Sequence, residues 1–115
     1  MRKIKTLKKN HEFKNVLSRG KFYSGNQITI YITKNQKSCN VIGIAISTKI
    51  CNAVKRNRIK RLIRENYILL KNRLETGNNI VFLWNKKADV EKVQFNIIKQ
   101  DMEKLFCKAG VLKNE

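Results

Sequence analysis

Two seven-residue runs, QITIYIT at 27–33 and VIGIAIS at 41–47, place Ile at every second position, the period that sends alternate side chains to opposite faces of a strand. The short polar segment between them, residues 34–40, predicts that the two strands pair as a hairpin. Upstream, Phe13, Val16 and Leu17 recur at helical spacing between Asn10 and Gly20, residue types that respectively cap and close helices. A short further strand is expected at 21–24. Downstream, Ile59, Leu62, Ile63, Asn66 and Leu70 share one side of a helix that Asn52 can cap. That helix is expected to run to about Leu74, where Thr76-Gly77-Asn78 stops it. NIVFLW at 79–84 is apolar almost without alternation, as suits an interior strand covered on both faces. Asp89 is placed to cap a last helix carrying Val90, Val93, Ile97, Ile98, Met102, Leu105 and Phe106 in one stripe before Gly110. The order α-β-β-β-α-β-α makes this an α+β domain, and its length favours one domain across residues 1–115, preceded by a basic arm at 1–9.

Charge changes the picture. The chain carries 26 Lys and Arg against 8 Asp and Glu, a net +18. Residues 1–64 hold 17 basic side chains and one acid, Glu12, for a net +16, whereas residues 65–115 hold nine and seven, for a net +2. Such a field repels itself and is relieved by a polyanion, either nucleic acid or an anionic membrane. No apolar run reaches the roughly 18 residues of a membrane span, and the lysine-rich start lacks the apolar segment of a signal peptide, so a cytoplasmic location is expected. Cys39, Cys51 and Cys107 are odd in number and widely spaced, with His11 the single histidine. They read as reduced thiols rather than a disulfide framework or a metal site.

The charge concentrates in KRNRIKRLIR, residues 55–64. On a helix, Arg56, Asn57, Lys60, Arg61 and Arg64 lie opposite the apolar stripe, with Arg58 at its flank, and Arg56 to Arg64 extends about 12 Å along the axis. A helix face built only for solubility mixes signs at i,i+4, yet residues 13–64 contain no acid. Lys55, Arg56 and Arg58 also stand at the positive end of the helix dipole, an unfavourable placement that a bound anion reverses. Phosphate binding is the preferred reading. The two alternating strands add a second surface: one face of Ile side chains, the other of Thr29, Tyr31, Thr33, Gly43, Ala45 and Ser47. A small, polar face with one ring accommodates single-stranded RNA by stacking and shape. Tyr31 is assigned to that role, Phe13 equally to it or to the core, and Tyr67, Phe82, Trp84, Phe95 and Phe106 to core packing.

The stretch from Lys49 to Arg61, KICNAVKRNRIKR, preceded by VIGIAIS, resembles the signature of the bacterial ribonuclease P protein subunit, whose hallmark is Arg-Asn-Arg, here Arg56-Asn57-Arg58. Leu7 with Glu12-Phe13, and the order and length of the elements, extend the resemblance over essentially the whole chain. It implies a basic subunit that assists a large catalytic RNA in removing the 5′ leader of precursor tRNA, with the catalytic centre and most of the Mg2+ in the RNA. It also implies a two-layer sandwich with a four-stranded sheet and a left-handed β-α-β crossover, the ribosomal protein S5 domain 2-like fold. Carried over residue by residue, Lys49, Lys55, Arg56, Asn57, Arg58, Lys60, Arg61 and Arg64 face the catalytic RNA, and Phe13, Leu17, Tyr31 and Ser47 line the leader cleft. The implied partners are that RNA and the precursor tRNA leader, with no membrane and no protein partner required. Cys51 stands where the family usually has Gly, Leu17 where an aromatic is frequent, Ala45 for a small hydroxyl residue and Thr48 for a common Lys.

A nuclease acting without RNA needs clustered carboxylates or a histidine base, and here Asp89, Glu91, Asp101 and Glu103 are scattered, so no catalytic residue is assigned. The alternatives are a structural rRNA-binding protein, such as a ribosomal protein, and a DNA-binding protein that reads purines with Arg and Asn.

Overall fold

The computed structural model describes residues 4–113. Five strands form one sheet in the order β1-β4-β5-β3-β2, with β1 at Lys5–Thr6, β2 at Lys21–Ser24, β3 at Ile28–Lys34, β4 at Val41–Ala45 and β5 at Asn78–Trp84. Three helices accompany it: α1 at Asn10–Arg19, α2 at Ala53–Leu70 and α3 at Phe95–Ala109. Tight 3-10 turns at Lys71–Arg73 and Val90–Lys92 follow α2 and precede α3.

The expected hairpin between residues 27–33 and 41–47 does not form. β5 lies between the two strands, antiparallel to β3 and parallel to β4. Its composition explains the place it takes: Ile80, Phe82 and Trp84 point to one face, Val81 to the other, and all are buried. Only a central strand with both faces covered satisfies that pattern. The loop after β3 must then cross two strand spacings, about 10 Å. It is pinned over the start of β5 by Asn35 Nδ2 donating to Asn79 Oδ1 at 3.0 Å, and by the Asn78 N–H donating to Asn40 Oδ1 at 2.9 Å. β4, α2 and β5 are therefore the parallel crossover unit.

The sheet has five strands rather than four. Lys5–Thr6 pairs with Val41 and Ile42, and the Leu7 N–H donates to the Ile42 carbonyl at 2.8 Å. This part of the expected arm is thus built into the sheet, and residues 1–3 lie outside the described residues. Helices α2 and α3 cover the face carrying Ile28, Ile30, Ile42, Ile80 and Phe82, with Ile59, Ile63, Leu70, Ile98, Met102 and Phe106 completing the main core. Helix α1 covers the opposite face, where Leu7, Val16, Val41 and Val81 form a smaller cluster with Phe13, Leu17 and Tyr31 against it. That cluster is a layer additional to the two expected.

Boundaries shift for local reasons. Helix α1 begins at Asn10 itself, and its start is satisfied by Glu12 Oε1, which accepts the Lys8 and Lys9 N–H groups at 3.1 and 3.0 Å. The last helix begins at Phe95 because Asp89 caps only the short 3-10 turn, through the Glu91 N–H, after which Val93 and Gln94 are extended. It ends as expected at Gly110, whose φ of 75° is the left-handed geometry that glycine adopts without strain. Asp101, buried on α3, accepts the N–H groups of Asn26, Gln27 and Ile28 at 3.0, 2.7 and 3.1 Å and so fixes the turn between β2 and β3.

Candidate nucleic-acid interface

The start of α2 is set by Asn52, whose Oδ1 accepts the Lys55 N–H at 3.0 Å. No acid stands in the first turn, so the partial positive charge of the helix end adds to the charge of the side chains. Those side chains are not equivalent. Lys55 is ion-paired with Glu91, which the Val90–Lys92 turn carries to it. Arg56 folds back so that its guanidinium donates to the Cys51 carbonyl at 2.8 Å. Arg61 lies 3.8 Å from Glu65, an exposed i,i+4 pair of little energetic weight. Asn57 and Arg58 are exposed, and among the described residues Arg58, Lys60 and Arg64 meet no acid. Lys49 is exposed in the turn before the helix, where its N–H donates to Ser47 Oγ at 3.1 Å. Ser47 is therefore past the end of β4, in a turn.

Lys60 and Arg64 form one wall of a groove of about 240 Å³ along the outer edge of β4, and Thr6, Leu7 and Phe13 form the other. β1 is too short to pair with β4 beyond Ile42, and successive residues of a strand direct their backbone groups to alternate sides. The N–H and C=O of Ile44 consequently face the groove with no strand partner among the described residues. Phe13 is half-buried, and its ring lies on Gly43 so closely that a Cβ there would be 2.5 Å from Cε1. It belongs to the small core and to the groove wall at once. Leu17 is half-buried in the same cluster.

Tyr31 is on this face, on the third strand counting inward from β4. Register places Phe22, Tyr31, Val81 and Gly43 in one row across the sheet. Phe22 is 62% exposed, and its ring is stacked on that of Tyr31 with centroids 5.6 Å apart. Hydrophobic periodicity does not single out Phe22; its place follows from the tight turn at 25–27, which sets it directly opposite Tyr31. Beside the pair, Ser24 Oγ lies 2.9 Å from Thr29 Oγ1, and Thr29 donates onward to Asn85 Oδ1. A larger hollow, about 1030 Å³, is elsewhere: it lies between the 33–37 loop, the end of α1 and Gly110, and none of the assigned site residues lines it.

This geometry sets a helix with the Arg-Asn-Arg sequence beside a groove that Phe13 shares, on the edge of the sheet whose one face carries Tyr31, and comparison with known proteins agrees. The family model described as "Ribonuclease P" matches residues 1–110. The chain belongs to the ribonuclease P protein family. A ribonuclease P protein component of Clostridium kluyveri is 37% identical over 109 residues, covering 93% of this chain and 96% of that protein. One from a Thermoanaerobacter species is 36% identical over 108 residues, covering 94% and 91%. Among solved structures, the Staphylococcus aureus RNase P protein superposes with a TM-score of 0.82 at 28% identity, over 96% of this chain and all of that one. The Thermotoga maritima protein gives 0.80 at 25%, over 93% and 97%.

Several acids of this family member are occupied structurally. Asp101 holds the β2–β3 turn, Glu12 the start of α1, and Glu91 and Glu103 pair with Lys55 and Arg73. No three His, Cys, Asp or Glu side chains are grouped to hold a metal ion among the described residues. The N–H groups of Lys9 and Lys8 hold the Glu12 carboxyl below its usual range, and burial is the main cause that pushes the Tyr67 phenol up. No helix of the described residues is long and apolar enough to cross a membrane.

Proposed function

We propose that this protein is the RNA-binding subunit of a ribonuclease P holoenzyme, which removes 5′ leaders from precursor tRNA. Helix α2 meets the phosphate backbone of the catalytic RNA, and the sheet face beside α1 takes the leader. The observation that carries the reading is that Lys60 and Arg64 of the Arg-Asn-Arg helix line the same groove as Phe13. One groove thus offers cations for phosphates, the N–H of Ile44, which has no strand partner among the described residues, and a ring for stacking. Phosphate contacts supply affinity irrespective of sequence, while the aromatic face holds unpaired bases and has no means to take a duplex.

The donor set does not fit a tightly held metal, because the carboxylates are dispersed among the described residues and Asp101, Glu12 and Glu91 are engaged with backbone or cations. On this reading the Mg2+ that the reaction uses is bound mainly by the RNA. The protein's contribution is to neutralise phosphates and to position the leader. The catalytic RNA and the precursor leader are the partners; neither a membrane nor another protein is required.

The test is the affinity of the reconstituted holoenzyme for precursor and mature tRNA with Tyr31→Ala. Losing one stacked base costs about 1 to 3 kcal/mol. That loss is expected for the precursor alone, while mature tRNA and the catalytic RNA bind unchanged. Equal losses for both tRNAs, or no loss with the fold intact by circular dichroism, would make Tyr31 a packing residue.

A further inference from the structure

The assigned cleft residues account for the face from Gly43 to Tyr31, but the face does not end there. Phe22, on the edge strand β2, continues the row and is 62% exposed although stacked on Tyr31. From Gly43 to Phe22 is three strand spacings, about 14 Å. Resting on the leader reading above, we infer that Phe22 is a second stacking surface for the leader, taking one nucleobase beyond the one that meets Tyr31.

Three observations carry this. The rings of Phe22 and Tyr31 are inclined by 30° with centroids 5.6 Å apart, so Tyr31 braces one ring and the outer surface of the pair is left to water. Rings aligned across the strands of a sheet take about two or three consecutive bases in other RNA-binding domains, and this row has the same construction. The polar neighbours also have a direction. Asn85 Nδ2 donates to the Gly25 carbonyl at 2.7 Å, which leaves its Oδ1 to accept from Thr29. Thr29 having given its proton to Asn85, Ser24 is the donor in the 2.9 Å contact between the two hydroxyls. Ser24, exposed two residues from Phe22, therefore presents lone pairs alone. These suit a ribose 2′-OH or a base amino group. The occupant is single-stranded RNA because Phe22, Ser24, Thr29 and Tyr31 belong to the first 64 residues, whose net charge is +16, and stacking on a ring takes an unpaired base. Stacking on Phe22 is tolerant of base identity, since every base has a π-face.

The test is a leader-length series, lengthened one nucleotide at a time, with holoenzymes containing wild-type protein, Phe22→Ala, Phe22→Leu, Phe22→Trp and Tyr31→Ala. In the wild type, affinity should rise in steps as the leader reaches each ring. Phe22→Ala should remove only the step at the longer leaders, a loss of about fivefold to tenfold, the lower part of what one stacked base contributes. Phe22→Trp should retain that step and Phe22→Leu should not. Three results would overturn the inference while leaving the leader reading intact: full rescue by Leu, equal loss at every length, or no loss at any length while Tyr31→Ala remains leader-dependent. If Tyr31→Ala is itself indifferent to the leader, the leader reading fails and the inference fails with it.

Discussion

Phe13 lies with its ring against the bare α-carbon of Gly43, and a methyl group added there would stand 2.5 Å from Cε1 and 2.7 Å from Cζ. That packing joins α1 to β4 and sets the wall of the groove opposite Lys60 and Arg64. Gly43→Ala must therefore push the ring aside. A cost of about 1 to 3 kcal/mol is expected, the usual range for an overpacked site. The urea midpoint should fall accordingly, with precursor affinity weakened at temperatures where the variant remains folded.

Asp101 presents a carboxylate to three consecutive backbone N–H groups, with Gly25 close enough that a Cβ would touch it at 2.6 Å. Asp101→Asn removes the charge and turns one oxygen into a donor facing donors. Destabilisation of about 3 kcal/mol is expected, because buried donors lose a charged acceptor. Chemical denaturation measures it. Since the turn is far along the chain from α2, affinity for the catalytic RNA should be retained where the protein is folded.

The Tyr67 phenol is raised above its ordinary 10.0 chiefly by burial, opposed by a hydrogen bond with the Asn40 side chain and reinforced by Cys39. A raised folded value means that the stabilising contribution is complete below about pH 10, the unfolded value, and is lost as pH rises through the folded one. Tyr67→Phe should lessen the loss of stability above pH 10 relative to wild type, without changing its slope near neutrality. Denaturant midpoints across pH 7 to 11 supply the comparison.

Salt dependence distinguishes the cations of α2. Neutralising Lys60 and Arg64 should lower the log-log salt slope of binding to the catalytic RNA by about 0.7 to 0.9 for each phosphate left without its cation. Glu91→Gln should act oppositely, because it releases Lys55 from its ion pair and allows it to neutralise a further phosphate. Binding isotherms between 50 and 400 mM salt would show both. An unchanged slope on neutralising Lys60 and Arg64 would reduce that face to solvated surface.

Much of the fold was legible in the chain, and the failures have definite causes. Alternation at 27–33 and 41–47 identified the faces of β3 and β4 correctly, but faces do not determine neighbours. The clue to the neighbour was in NIVFLW, whose lack of alternation required the central position that β5 occupies. The basic helix was legible from Arg56 to Arg64 as charge. Its differentiation was not, because Glu91 reaches Lys55 from a turn 36 residues downstream and Arg56 returns to Cys51. Asp101 read as an isolated acid since its partners lie 73 to 75 residues away. Phe22 carried no periodic signal of its own in a four-residue strand; only register made it a neighbour of Tyr31.

Cleavage of precursor tRNA at low magnesium tests the central claim most directly, with three samples compared: a bacterial ribonuclease P RNA alone, this protein alone, and the two together. The account predicts negligible cleavage by the protein, weak cleavage by the RNA, and strong cleavage at the mature 5′ end by the mixture, diminished when Lys60 and Arg64 are neutralised. Metal-dependent cleavage by rigorously RNA-free protein, or a mixture no more active than the RNA alone, would contradict it.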